Sequence, residues 1–183
     1  MSWLNDLKDR LYDRRMTADE RTPNPASSGP KSLNLGNARK IIILFPAAEK
    51  QDRQQVEKWK ATVGNPKQQI TLVGLLTSPG EVANDHFTII PATERNWYDL
   101  PQGPMTDRYL AEDCDLLLRL GPAEDRHLDY LAAAKQARLK VGPYHPERSP
   151  IYQLQFDGRT HVKLADQLKA IEAIFSFTNG KPT

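Results

Sequence analysis

Five consecutive apolar residues, Ile41 to Phe45, lead directly into a polar helical pattern over residues 49–63. A strand without polar positions is buried on both faces, which is typical of a parallel sheet covered by helices. The run therefore predicts an α/β fold, specifically a three-layer, Rossmann-like open sheet that is mostly parallel.

The turn after this strand contains no glycine and reads Pro46-Ala47-Ala48-Glu49-Lys50. Turns that bind phosphate use glycines, because backbone N–H groups must approach the ligand closely. The usual nucleotide signature of this architecture is therefore absent, and the sequence predicts no cofactor.

Strand and helix patterns alternate along the rest of the chain, with a long crossover segment over residues 91–112. The strand order stays open, because this crossover can return on either side of the first strand. The last strand alternates in polarity, which suits a half-exposed edge strand. Strands are predicted at residues 40–45, 69–76, 86–90, 114–120, 138–141 and 151–156, and helices at 49–63, 125–137 and 161–176.

The 183 residues suit one domain with an appendage. We predict a separate N-terminal amphipathic helix over residues 1–16, a flexible linker over 17–37 and an α/β domain over 38–178. The helix has an apolar stripe with basic residues mostly beside it. A partner would contact Trp3, Leu4, Leu7, Leu11, Arg14 and Arg15.

The composition limits the kinds of partner. Residues 1–40 contain eight basic and five acidic residues, a small positive excess that favours an acidic partner only weakly. The long linker argues against tight folding of the helix back onto the domain, so a tethered helix that docks on a protein or ribonucleoprotein partner is expected. We expect no membrane span, no sequence-specific nucleic-acid binding and a cytoplasmic location.

Ligands of open α/β sheets bind beyond the carboxyl ends of the strands. The richest chemistry predicted there is a group of aromatic and polar residues that could line a small-molecule crevice: Arg95, Asn96, Trp97, Tyr98 and His145. The alternative is structural: Trp97 and Tyr98 fill the space under the long crossover, and Asn96 bonds the backbone.

Other reactive residues are interpreted structurally. Asp113 and Asp115 open a strand at its amino end and are expected to be solvated or to cap backbone groups. Cys114, the single cysteine, is expected to be an inert apolar residue. The four histidines, of which His145 is the best acid–base candidate, lack metal-site spacing: His86, His127, His145 and His161. We predict no catalytic constellation and no metal.

Three segments of the chain form a recognisable pattern: Asn96-Trp97-Tyr98-Asp99-Leu100-Pro101, Asp113-Cys114-Asp115-Leu116-Leu117-Leu118 and Ala137-Arg138-Leu139-Lys140-Val141-Gly142. They resemble an uncharacterised bacterial family of short α/β proteins, a domain of unknown function. The chain departs from the family pattern at Glu94 and Asp99, where Asp and Gly are expected, and at Gln153, where an Asp-Leu pair is expected. The resemblance implies the fold and implies no activity.

Two functions from different classes remain open, together with a weaker third. The first is a non-enzymatic cytoplasmic interaction module that docks through its N-terminal helix. The alternative is a small-molecule or nucleotide-binding enzyme that uses the crevice near Asn96, Trp97 and His145. The third is a homo-oligomer formed through edge strand 151–156 or the helix stripe.

Overall fold

The computed structural model describes residues 9–14, 33–78, 86–146 and 149–178. A helical segment covers residues 9–14, and a short 3₁₀ helix covers Ser149–Ile151. The remaining elements are β1 (Lys40–Pro46), α1 (Lys50–Val63), β2 (Gln69–Leu75), β3 (Thr88–Ile90), α2 (Pro104–Ala111), β4 (Leu116–Arg119), α3 (Arg126–Ala134), β5 (Leu139–Pro143), β6 (Leu154–Phe156) and α4 (Leu164–Thr178).

The described strands form one six-stranded sheet in the order β3-β2-β1-β4-β5-β6, and every pair of neighbours is parallel. This confirms the predicted Rossmann-like α/β fold. The chain leaves the middle of the sheet in one direction through β2 and β3, and in the other through β4 to β6. The switch point, where open α/β sheets bind ligands, therefore lies between β1 and β4.

Both faces of β1 are buried, which explains its continuous apolar sequence. Ile41, Ile43 and Phe45 pack in the core layer beneath α1 and α4, which also contains Trp59 and Phe175. The alternate residues Ile42 and Leu44 pack in the opposite layer, with side chains of α2 and α3 such as Tyr109 and Leu128. Helices thus cover both faces of the sheet, as the three-layer prediction requires.

The long crossover contains a helix, α2, that the sequence analysis does not predict. Pro104 occupies its first turn, a position where the missing N–H has no consequence. The carboxylate of Glu94 accepts hydrogen bonds from the backbone N–H groups of Met105 and Thr106, both 3.0 Å long. Capping by a residue ten positions before the helix, rather than by an adjacent one, explains why the start is hard to see in the sequence.

The predicted strand 151–156 is shorter in the structure. Ile151, the first residue of the predicted strand, is instead the last residue of the 3₁₀ helix Ser149–Ile151. The strand itself is β6, which pairs with β5 alone among the described strands and so lies at the predicted sheet edge.

The expectation that the N-terminal helix does not fold back is wrong for residues 9–14. Tyr12 is only 2% exposed and belongs to the core layer of α2 and α3. Leu33 and Leu35, which the prediction assigns to the linker, also pack against the core. Trp3, Leu4, Leu7, Arg15 and linker residues 17–32 lie outside the described residues. No helix in the described part of the chain is long and apolar enough to cross a membrane.

Candidate functional site

A loop over residues 94–103, between β3 and α2, crosses the carboxyl edge of the sheet at the switch point. Next to β2, the Arg95 guanidinium donates to the carbonyls of Leu76 and Thr77, both at 3.3 Å. At the other end, Oδ2 of Asp99 lies 3.0 Å from Nε2 of His127, in the first turn of α3. The loop therefore connects the two halves of the sheet.

Asn96 organises this loop through its side chain. Its Oδ1 accepts hydrogen bonds from the backbone N–H groups of Tyr98 (3.2 Å) and Leu100 (3.0 Å). Arg95 and Pro101 form an antiparallel bridge across the base of the turn. The expectation that Asn96 bonds the backbone is thus confirmed, and its acceptor oxygen is already used within the loop.

Trp97 lies at the tip of the loop and is 61% exposed. Its ring packs edge-on against Tyr98, with centroids 5.1 Å apart and an interplanar angle of 83°. The interpretation that Trp97 fills the space under the crossover is therefore wrong, whereas Tyr98 is half-buried and packs against the core. An exposed indole on an internally bonded loop is a feature typical of interaction surfaces.

Asp99 has two basic neighbours, Arg95 and His127, and an unusual backbone conformation. Partial burial tends to raise its pKa, but the hydrogen bond from His127 and the charge of Arg95 outweigh burial and lower the pKa below its usual value. Its φ of 67° lies in the left-handed region that favours glycine. The glycine expected here from the family pattern suits that conformation, and Asp is among the residues that tolerate it.

The N-terminal helical segment reaches the same place. The Tyr12 hydroxyl donates a hydrogen bond to the carbonyl of Arg126, whose guanidinium lies 4.2 Å from the centre of the Tyr12 ring. Oδ1 of Asp9 lies 2.8 Å from NH1 of Arg126. Because Arg126 and His127 are consecutive, the helical segment and the loop of Trp97 both contact the first turn of α3.

The predicted crevice residues are only partly brought together. Arg95, Asn96, Trp97 and Tyr98 share one loop, while His145 follows β5, on the other side of the switch point. Of three clefts on the described surface, with volumes of about 660, 410 and 590 Å³, none is lined by Asn96, Trp97 or His145. Within the described ranges, no group of three or more acidic, histidine or cysteine residues could hold a metal ion.

Sequence reasoning missed a buried polar network beneath this edge. The Arg119 side chain is 0% exposed, and its guanidinium lies 3.0 Å from Oδ1 of Asp129, which accepts a 2.8 Å hydrogen bond from the Tyr152 hydroxyl. The same guanidinium donates to the carbonyl of Gly121, whose N–H donates to Gln167 at 2.8 Å. The sequence signal for this network is Arg119, a charged residue at the end of the otherwise apolar strand β4.

The amino edge of the sheet uses its acidic residues structurally. Oδ2 of Asp115 accepts hydrogen bonds from the N–H groups of Arg39 and Lys40, both 3.0 Å long. Asp113 forms a 2.7 Å ion pair with the Lys40 ammonium. The expectation that these two carboxylates are solvated or capping groups is confirmed.

Cys114 is expected to react slowly with thiol reagents. Burial is the main reason that its pKa rises to about 12, so very little thiolate is present at pH 8. The greater nucleophilicity of a high-pKa thiolate offsets part of this, which leaves a reaction about a hundredfold slower than that of a free cysteine peptide. Labelling by Ellman's reagent at pH 8, with and without denaturing urea, measures the ratio of the native labelling rate to the unfolded one. A native rate close to the unfolded rate would contradict the inert interpretation.

No curated protein and no solved structure matches this chain. One family model does match, over residues 14–170. The matched span includes all six strands of the sheet, the Trp97 loop and the end of the N-terminal helical segment. The resemblance seen in the three sequence segments is thereby confirmed. The chain belongs to a family of unknown function, DUF6913.

Proposed function

We propose that this protein is a non-enzymatic interaction module that docks on a protein partner through its N-terminal helix and the Trp97 loop. The observation that supports it most is the meeting of these two segments on the first turn of α3, through Arg126 and His127. A surface built from both would combine an amphipathic helix with an exposed aromatic anchor.

Helix geometry supports an outward-facing apolar stripe. Successive residues of a helix are rotated by about 100°, so Trp3, Leu4, Leu7 and Leu11 share one face of the helix that the sequence predicts. Asp9 and Tyr12 are the residues that contact the domain, and their mean direction is rotated roughly 150° about the helix axis from the centre of that face. Leu11 is accordingly only half-buried, whereas Tyr12 is buried. A helix fixed in this way would present its stripe to a partner.

The contacts of the Trp97 loop favour a docking role over a small-molecule site. The Asn96 oxygen and the Arg95 guanidinium, which would otherwise orient a ligand, are engaged within the loop or by the carbonyls after β2. What remains for a partner is the Trp97 indole, and large aromatic side chains supply much of the binding energy in protein interfaces.

Partner capture tests the proposal. Full-length protein and a Trp3→Asp/Leu7→Asp variant would each be used to purify partners from source cells, with nuclease treatment to separate protein from ribonucleoprotein partners. The affinity of the purified partner would then be measured. We expect the double variant to weaken binding at least about a hundredfold, and Trp97→Ala to weaken it about tenfold or more.

Val162→Asp is the matched control, because Val162 is 73% exposed and outside both segments. It introduces the same charge at another apolar surface position and should leave partner affinity unchanged. Equal affinity for the wild-type protein and the Trp3→Asp/Leu7→Asp variant would refute the helix as the docking element. If the Trp97→Ala variant binds the partner as tightly as the wild-type protein does, the loop is not part of the interface.

A further inference from the structure

The largest of the three clefts, about 660 Å³, lies beside the first half of β2. It exists because β3 has only three residues and pairs with β2 from Val73 to Leu75. Residues Gln69 to Leu72 pair with β1 on one side, and no described strand pairs with Ile70 and Thr71 on the other. Among the residues that the structure describes, the sheet therefore has an open edge at this place.

The backbone groups that face the cleft can be assigned from alternation along β2. The N–H of Gln69 donates to Arg39 at 2.8 Å, and the carbonyl of Leu75 accepts from Ala47 at 2.9 Å, so odd-numbered residues face β1. The N–H of Leu76 donates to Ile90, on the β3 side. The N–H and carbonyl of Ile70 and the N–H of Leu72 consequently face the cleft, where an additional strand can bond them. The register of β3 assigns the Leu72 carbonyl to the N–H of Thr88.

The described part of the cleft wall carries basic side chains. Lys60 of α1 lies on one face of the sheet, Arg108 of α2 on the other, and His86 lies near the start of β3. Among the described residues that line the cleft none is acidic, and the nearby Glu112 carboxylate accepts a 2.8 Å hydrogen bond from the Thr71 hydroxyl. Phe87 and Met105 add apolar surface between the basic groups.

We propose that this cleft binds an extended acidic peptide segment of another protein, which adds a strand to the open edge of β2. Main-chain hydrogen bonds to Ile70 and Leu72 would give affinity, as in other cases of β-strand addition. Side chains of an added strand alternate between the two faces of the sheet, so acidic residues would meet Lys60 on one face and Arg108 on the other. This surface is separate from the Trp97 loop, and the proposal does not rest on the proposed function.

The test uses ¹⁵N-labelled full-length protein and the synthetic peptide acetyl-Thr-Glu-Glu-Val-Ile-Glu-Glu-amide. Its paired glutamates place negative charge on both faces of a strand. We expect the peptide to shift the amide signals of Ile70 and Leu72 and to slow their hydrogen exchange about tenfold or more. The double variant Lys60→Glu/Arg108→Glu should weaken binding about tenfold or more, with the neutral Lys60→Gln/Arg108→Gln pair in between.

Lys58→Glu provides the control, because Lys58 is an exposed residue of the same helix and does not line the cleft. It should change affinity less than about twofold. Unchanged Ile70 and Leu72 signals at about 1 mM peptide, or equally tight binding of a peptide with lysine at every glutamate position, would overturn the proposal. Concentration-dependent protection of these amides without peptide would instead assign the edge to a second copy of this chain.

Discussion

Replacing Arg119 with methionine is expected to lower the free energy of unfolding by about 4 kcal/mol. The arginine is fully buried, and its guanidinium lies 3.0 Å from Oδ1 of Asp129. Methionine fills a similar volume but leaves the buried Asp129 carboxylate without its cationic partner. Urea unfolding followed by circular dichroism measures the loss.

Two further variants separate the ion pair from simple packing. Arg138→Met is the matched control, because this half-exposed arginine lies 3.6 Å from Oδ1 of Asp115, and its loss should cost less than about 1 kcal/mol. The double variant Arg119→Met/Asp129→Leu should be more stable than Arg119→Met alone, because it removes the uncompensated charge. A loss below about 1 kcal/mol for Arg119→Met would show that Asp129 does not depend on this partner.

The same network supports the proposed docking surface. Arg119 donates to the carbonyl of Asp125 at 3.4 Å, and the carboxylate of Asp125 caps α3 by accepting from the N–H groups of His127 and Leu128. The first turn of α3 is the place where both Tyr12 and Asp99 make contact. A variant that loosens this turn is therefore expected to weaken partner binding as well as stability.

The layered fold could be predicted from the sequence because local patterns determine it. The apolar run of β1 requires cover on both faces, and the Gly64-Asn65-Pro66 stop separates α1 from β2. The strand order could not be predicted, because it depends on which side of β1 the crossover returns to, a choice made by long-range packing. Helix α2 was missed although Gly103-Pro104 marks its start, since its capping group, Glu94, is distant in sequence.

The candidate site was only partly predictable for a related reason. The residues from Arg95 to Tyr98 are consecutive and chemically rich, so the loop could be recognised. Which of them faces solvent depends on Asn96, whose oxygen bonds Tyr98 and Leu100 and turns Trp97 outward. One partner of Asp99 is His127, 28 residues away, and sequence spacing gives no indication of that contact.

A buried lysine provides the second large expected effect. Lys135 is 0% exposed, and its ammonium donates to the carbonyls of Tyr109, Leu110 and Glu112 at the carboxyl end of α2. The last carbonyls of a helix have no partners within it, and a cation there is also favoured by the helix dipole. Burial lowers the pKa of Lys135, and the nearby side chains of Cys114, Glu112 and Asp113 oppose only part of that lowering. The lysine thus joins the end of α3 to the end of α2.

Lys135→Met is expected to lower the free energy of unfolding by about 3 kcal/mol, because the variant keeps the apolar stem and removes the ammonium donor from three carbonyls at the end of α2. Hydrogen exchange should also accelerate in α2 more than in α1, since only α2 loses its terminal contacts. Lys169→Met is the control: Lys169 is 78% exposed and 3.8 Å from Asp166, so its loss should cost less than about 1 kcal/mol. Equal stability losses in the two variants would contradict a capping role, because only the buried lysine reaches the carbonyls of α2.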